Sequence, residues 1–247
     1  MGVTFSSERL RRLAQLEGWH FWFAGRRALI QRLLDRYLAV SDEMALDVGC
    51  GTGGMLKTLG PRFRRVVGID LYAEGLHNVR RESPDAILMR AHATRLPIAD
   101  NMFGAVLLLD VLEHVDDHAA LAEVHRVLRP DGVAIITVPA VRWLWSYRDE
   151  AAGHLRRYGR RQLMEAITGA RLAVLAVQYY QCLLFPFVAV TRLLGRGGPY
   201  LRDLEDRPSL RLSRLLAWVN MTEVRLGEVI AWPWGSSLVA VCRKAAA

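Results

Sequence analysis

The feature that most constrains this chain is an alternation. The runs Ala45 to Val48, Val66 to Ile69, Ala86 to Met89, Ala105 to Leu109 and Val133 to Val138 are apolar at consecutive positions, as strands buried on both faces must be. Between them, Gly54 to Leu59, Ala73 to Arg81 and Asp117 to Leu128 carry the three- and four-residue spacing of helices. Successive strands joined through helices pair in parallel, with helices on both faces. The sequence therefore predicts an α/β, doubly wound, mostly parallel sheet. A helix over Arg160 to Thr168 and strands over Leu172 to Tyr179 and Ser237 to Cys242 complete a seven-stranded sheet.

More than fifty residues separate those last two strands, far beyond an ordinary connection of about 2 to 6 residues. The expected organisation is an N-terminal helical lid over 1–40, a core formed by 41–181 and 236–247, and a helical insertion over 182–235. The lid contains two helices from Ser6 to Tyr37 around an aromatic knot, Trp19-His20-Phe21-Trp22-Phe23, followed by Gly25-Arg26-Arg27. The knot suits a cover over a ligand or plain core packing equally.

The first strand runs into LDVGCGTGG, Leu46 to Gly54, where an open sheet of this kind holds a ligand. Three guests compete for such a turn: a dinucleotide, a nucleoside triphosphate and S-adenosylmethionine. No Gly-Lys-Ser/Thr follows, which excludes a phosphate-binding P-loop. Gly49 to Gly54 does satisfy G-x-G-x-x-G, the dinucleotide pattern. Asp47 decides against it, since a carboxylate repels a pyrophosphate but attracts the ammonium group of an amino acid. Asp70 follows about 20 residues later at the end of VVGID, placed for two ribose hydroxyls or for the start of the next helix.

Four ordered pieces now stand together: LDVGCGTG, VVGID, ATRLPIADNMFGAVLLLDVLEHV and LRPDGVAIITVP. Over Ala45 to Pro139 the chain resembles the class I S-adenosylmethionine-dependent methyltransferases, whose fold is Rossmann-like. The resemblance implies S-adenosylmethionine across the strand ends. Asp47, Gly49, Cys50 and Gly51 would lie near its methionine part, Asp70 and Leu71 around the ribose, His92 and Ala93 beside the adenine, and Leu109 at the end of the fourth strand. Two positions depart from the family's pattern. Ala91-His92-Ala93 replaces Gly-Asp-Ala, leaving an imidazole to accept from the adenine amino group. Phe103-Gly104 replaces Phe-Asp, a change of local turn chemistry.

Methyl transfer from a sulfonium needs alignment and exclusion of water, with a general base only for a protonated acceptor. Asp110, Glu113 and His114 share one face if the segment is helical, and are candidates for proton transfer. The same residue types suit a divalent metal, and some ubiquinone-pathway methyltransferases that this segment resembles use one there; the expectation here is no metal. His154, in GHLRRYGRRQL after the fifth strand, is the second candidate base, and Arg156, Arg157 and Tyr158 beside it suit an anionic acceptor or a solvated basic turn.

Charge and composition bound the partners. The formal charge is +8, carried almost wholly by arginine, without a nucleic-acid-binding motif, so no nucleic-acid partner is expected. Three scattered cysteines and an N-terminus without a signal-peptide core predict a cytoplasmic protein; Met1 to Ser6 does match a myristoylation pattern. No charge occurs between Arg171 and Arg192, yet part of that span is a strand and Pro186 interrupts the rest. A spanning helix is rejected. The insertion, with an arginine-studded amphipathic stretch from Leu210 to Trp218 and Trp232-Pro233-Trp234, suits peripheral contact with an anionic membrane, a homodimer contact or the cover of an apolar pocket. The expected activity is methyl transfer, at oxygen, to a hydrophobic small molecule, lipid-linked or saccharide. The alternative is a noncatalytic S-adenosylmethionine-binding module or partner subunit.

Overall fold

The computed structural model describes residues 7–38, 43–194, 205–227 and 229–245. The myristoylation pattern therefore lies outside the described residues, as does part of the insertion.

A single sheet contains strands β1 (Met44–Val48), β2 (Arg65–Asp70), β3 (Ile87–Arg90), β4 (Phe103–Leu109), β5 (Leu128–Pro139), β6 (Leu172–Tyr180) and β7 (Ser237–Lys244) in the order β3-β2-β1-β4-β5-β7-β6. The first five are parallel, and β7 runs antiparallel to both β5 and β6. The order reverses between β1 and β4, which opens a crevice beyond their carboxyl ends.

Every residue of β4 is buried, because helices cover both faces of a central strand. Successive side chains take opposite faces. Val106 and Leu108 join Leu121, Val124 and Ile136 on one side, while Ala105, Leu107 and Leu109 join Ile30, Leu34 and Ile135 on the other. Each valine, leucine or isoleucine among them contributes on the order of 1.5 to 3 kcal/mol by burial, so the centre of the sheet anchors its strand ends.

Around the sheet lie α1 (Ser7–Glu17), α2 (Phe21–Tyr37), α3 (Gly54–Leu59), α4 (Ala73–Glu82), α5 (Asp117–Val127), α6 (Tyr147–Ala152), α7 (Arg160–Gly169), α8 (Phe185–Leu194) and α9 (Leu210–Leu226). Helix α6 falls in a stretch where the sequence pattern is loose. Ser146 begins it with a capping box, its side chain and that of Asp149 reciprocating across the first turn.

The aromatic knot packs against the insertion. Phe21 is buried with Leu184, Leu216 and Ala217, its N–H donates to Ser213 Oγ (2.9 Å), and Gly25 lies where any Cβ would collide with Asn220. Glu223 of α9 accepts from the backbone N–H groups of Cys182 and Leu183, fastening α9 to the end of β6. Among the described residues no helix is long and apolar enough to cross a membrane.

Candidate active site

The turn after β1 is built from left-handed backbone. Gly49 (φ 76°) and Gly51 (φ 55°) both sit where L side chains are strained. A Cβ at Gly49 would meet Val111 at 2.5 Å, whereas one at Gly51 would meet nothing within 4 Å and would project into open space. Close packing thus fixes the first glycine, and the second leaves room for a ligand.

The polar groups of the turn say which ligand. Gly49 and Cys50 donate their N–H groups to Ile69 O, Gly51 donates to Asp70 Oδ2 (2.8 Å), and Gly53 donates to Cys50 O. Gly54 N–H, at the start of α3, donates to Glu17 Oε1 (3.0 Å), and Thr52 Oγ1 donates to the same carboxylate. A dinucleotide needs these N–H groups, and the helix N-terminus, for its pyrophosphate. Here they are spent within the protein, and a carboxylate stands where the phosphate would go.

Three carboxylates, Glu17, Asp47 and Asp70, surround the turn instead. Burial raises the Asp47 carboxyl to about 7; Arg26 opposes the shift, while Glu17 and Asp70 add to it. Burial also raises Asp70, against hydrogen bonds from Tyr72 N and Gly51 N. Such a site is short of positive charge. An ammonium group beside a sulfonium would supply it, and the space beside Gly51 is open.

The chain belongs to the class I S-adenosylmethionine-dependent methyltransferases. A family profile described as a methyltransferase domain matches residues 46–136. A malonyl-[acyl-carrier protein] O-methyltransferase of Enterobacter lignolyticus is 30% identical over 208 residues, covering 77% of this chain and 79% of that one. An uncharacterized methyltransferase of Mycobacterium bovis is 33% identical over 135 residues, 55% of this chain and 53% of that one. The chain thus spans about half the length of the mycobacterial relative.

Among solved structures, a chain from the complex between the Haloferax volcanii Trm112 methyltransferase activator and its candidate methyltransferase superposes with TM-score 0.70 at 17% identity, covering 100% of this chain and 99% of that one. The [4+2]-cyclase SpnF superposes at 0.60 with 21% identity, covering 90% and 81%. The fold alone therefore does not fix the reaction.

The other positions that the family resemblance assigns to the cofactor lie at or just beyond the carboxyl ends of β1 to β4. The Cys50 side chain points into the core, and burial raises its thiol, so only its backbone borders the turn. Leu71 is exposed at the end of β2, and its carbonyl accepts from Arg90 Nε. His92 is exposed, with Ala93 partly buried beside it. His92 Nδ1 accepts from Thr94 N–H (3.3 Å) and pairs with Thr94 Oγ1 (2.7 Å), which leaves Nε2 to carry the hydrogen of a neutral ring. Leu109 ends β4 in the core.

The next residue, Asp110, departs from the expected grouping. Its backbone turns left-handed (φ 58°), and its carboxylate accepts from Arg26 Nη1 (2.8 Å) and Thr137 Oγ1 (3.0 Å). Asp110 is therefore tied to α2 and β5, while Glu113 and His114 occupy a separate 3-10 turn over Leu112–His114.

Glu113 is fully buried, and neither carboxylate oxygen has a hydrogen-bond partner. Burial pushes its carboxyl well above the usual range, with Asp110 adding to the effect. His154 Nε2 lies 4.0 Å from Glu113 Oε1, and the His114 and His154 rings meet edge-on with centroids 4.8 Å apart. Three of the four proton-transfer candidates, Glu113, His114 and His154, are thus brought together. Each offers one ligand atom, and those atoms lie within 4.8 Å of one another, so the cluster has the residue types for a metal as well.

The residue that orders this cluster was not singled out by the sequence. Asp149 Oδ1 accepts from His154 Nδ1 (2.8 Å) and Arg157 Nε (2.8 Å), while its Oδ2 accepts from Ser146 N–H and Arg157 Nη2. Burial alone would raise Asp149, but the bonds from His154 and Arg157 outweigh it and hold the carboxyl well below the usual range. The S-x-x-D pattern at Ser146 to Asp149 was the available signal.

Arg156, Arg157 and Tyr158 do not present themselves to an anionic acceptor. Arg157 is buried against Asp149 and the Ala140 carbonyl, Arg156 pairs with Asp117 (2.9 Å), and Tyr158 donates from within the core to Asp117 Oδ2 (2.8 Å). Their work is to fix the loop that carries His154.

Proposed function

We propose that the protein transfers a methyl group from S-adenosylmethionine to an oxygen of a hydrophobic small molecule, lipid-linked or saccharide in character, in the cytoplasm at the inner face of the membrane. The observation that carries this reading is the pairing of an anionic, phosphate-rejecting turn with an imidazole whose one nitrogen is anchored to Asp149.

When bound, S-adenosylmethionine supplies a methyl on a positively charged sulfur, already a good leaving group. Asp47 would hold the ammonium, Asp70 the ribose hydroxyls, the backbone of Gly49, Cys50 and Gly51 the methionine chain, and Leu71, His92 and Ala93 the adenine end. With Nδ1 taken by Thr94, His92 would do so as a donor through Nε2 to a ring nitrogen of the adenine, not as the acceptor from its amino group that the sequence implied. Leu109 would floor the site.

His154 accepts the acceptor's hydroxyl proton at Nε2 as the methyl–oxygen bond forms. Asp149 keeps the other hydrogen on Nδ1 and stabilises the imidazolium that results. Glu113, whose carboxyl burial pushes well above the usual range, lies beside Nε2, and the His114 ring packs edge-on against the imidazole. These residues act as proton-handling groups without a metal. Persistence of activity in a chelator supports that assignment; its loss, restored by a divalent cation, would make them ligands instead.

The second reading is a cofactor-binding module without transfer, favoured by SpnF, whose structure shares this fold under the name of a cyclase. Calorimetric titration with S-adenosylmethionine, followed by a tritiated-methyl assay against aqueous and lipid extracts, separates the two. Binding with label in the lipid extract supports the enzyme. Binding with no label in any fraction supports the module.

A further inference from the structure

We propose that the outward face of α9 is a docking surface for an anionic lipid bilayer, lying in the interface with its axis along the membrane plane. The inference goes beyond the catalytic reading and does not depend on it.

The exposed positions of α9 are Leu210, Arg211, Arg214, Leu215, Trp218, Met221, Arg225 and Leu226. At about 100° per residue these fall within roughly 160° of the helix circumference. Trp218 lies near the centre of the arc with the three arginines around it, and leucine and methionine form the flanks. Trp218 is 62% exposed, Leu215 57% and Leu210 55%, so each leaves more than half of its surface in water. The opposite face is already occupied: Ser213, Leu216, Ala217, Asn220 and Glu223 are buried against α2 and the end of β6.

Charge decides the occupant. Every exposed side chain on the helix is apolar or cationic. The acids of this region among the described residues turn inward: Glu205 pairs with Arg148 and Arg192, Asp206 pairs with Arg148, and Glu223 is buried on backbone N–H groups. Arg211, Arg214 and Arg225 form no ion pair among the described residues. A second copy of this chain docked on the same face would set arginine against arginine in a molecule already carrying +8. An anionic bilayer meets both halves of the pattern, taking leucine and tryptophan into the headgroup boundary while phosphates meet the guanidinium groups. Just past the helix, Val229 and Trp234 are also exposed, continuing the apolar surface along the chain.

The test is sedimentation of the full chain with vesicles of phosphatidylcholine alone and of phosphatidylcholine mixed with phosphatidylglycerol. The protein is expected to pellet with the mixed vesicles only, and less as salt is added. Arg214→Ala with Arg225→Ala should lower partitioning by roughly tenfold or more, and Trp218→Ser should lower it severalfold. Arg80→Ala with Arg81→Ala, which removes the same charge from the exposed end of α4, should leave it unchanged. Circular dichroism and S-adenosylmethionine titration confirm that each variant is folded; if the double variant is not, Trp218→Ser carries the test. Absence of pelleting, equal pelleting with both vesicles, wild-type pelleting of the α9 variants, or an equal loss in the α4 control overturns the proposal. So does a self-association of the chain that the α9 variants abolish. Failure of cofactor binding with vesicle binding intact would remove the proposed activity and leave this surface standing.

Discussion

Asp149 Oδ1 and His154 Nδ1 lie 2.8 Å apart, and on the far side of the same imidazole Nε2 faces the buried Glu113 carboxyl at 4.0 Å. One ring nitrogen is tied down, which determines where the other points. Arg157 completes the arrangement by holding the carboxylate from behind.

His154→Ala should lower kcat by about 10² to 10⁴, the usual contribution of a general base, and leave the Kd for S-adenosylmethionine unchanged. Steady-state kinetics beside calorimetric binding checks both halves. Wild-type turnover in the variant would remove His154 from the mechanism.

Asp149→Ala should cost stability as well as rate. It leaves Arg157 buried without its counter-charge, and breaking one partner of a buried pair costs about 3 to 5 kcal/mol. Urea unfolding should show a lower midpoint than for His154→Ala, which leaves the Asp149–Arg157 pair intact. Equal midpoints would contradict the structural role given to that pair.

Cofactor affinity should depend on pH through Asp47. Its carboxyl titrates at about 7 in the fold, so below that pH it is neutral and above it carries the charge that an ammonium group seeks. Affinity for S-adenosylmethionine should therefore rise as pH rises through about 7, with a proton released on binding below it. Asp47→Asn should bind weakly and flatten the profile. The linked effect on folding has the opposite sense. A carboxyl raised above its unfolded value binds its proton more tightly in the fold, so its contribution to stability declines as pH rises from the ordinary carboxylate range toward 7. Calorimetry in buffers of different ionisation enthalpy detects the proton.

The two glycines of the turn should fail differently. Gly51→Ala meets open space, so its cost is the left-handed backbone, about 1 to 2 kcal/mol, together with loss of cofactor affinity by tenfold or more. Gly49→Ala adds a collision with Val111 and should unfold at lower temperature still. Thermal melts paired with binding titrations distinguish the two.

The sheet and the turn were legible because both rest on local pattern. Continuous apolar runs can only be strands buried on two sides, and Asp47 before the glycines carries its sign in its chemistry. Other features rest on another cause, contacts between distant segments. The i,i+3 spacing of Asp110 and Glu113 implied one face, yet Asp110 leaves β4 with positive φ and turns to Arg26, a partner 84 residues away. Arg156, Arg157 and Tyr158 read as an exposed basic turn because no spacing rule reveals Asp117 and Asp149 beneath them. The aromatic knot met the insertion through Ser213 and Asn220, nearly two hundred residues downstream. Glu17, whose carboxylate closes the α3 N-terminus, had no signal in its own neighbourhood at all.

The most direct test is transfer of tritium from methyl-labelled S-adenosylmethionine into organic-extractable material, measured for the wild-type chain and for His154→Ala side by side. Label in the organic phase with the wild type and near-complete loss with the variant is the predicted result. Tight cofactor binding by both proteins with label in neither would contradict it.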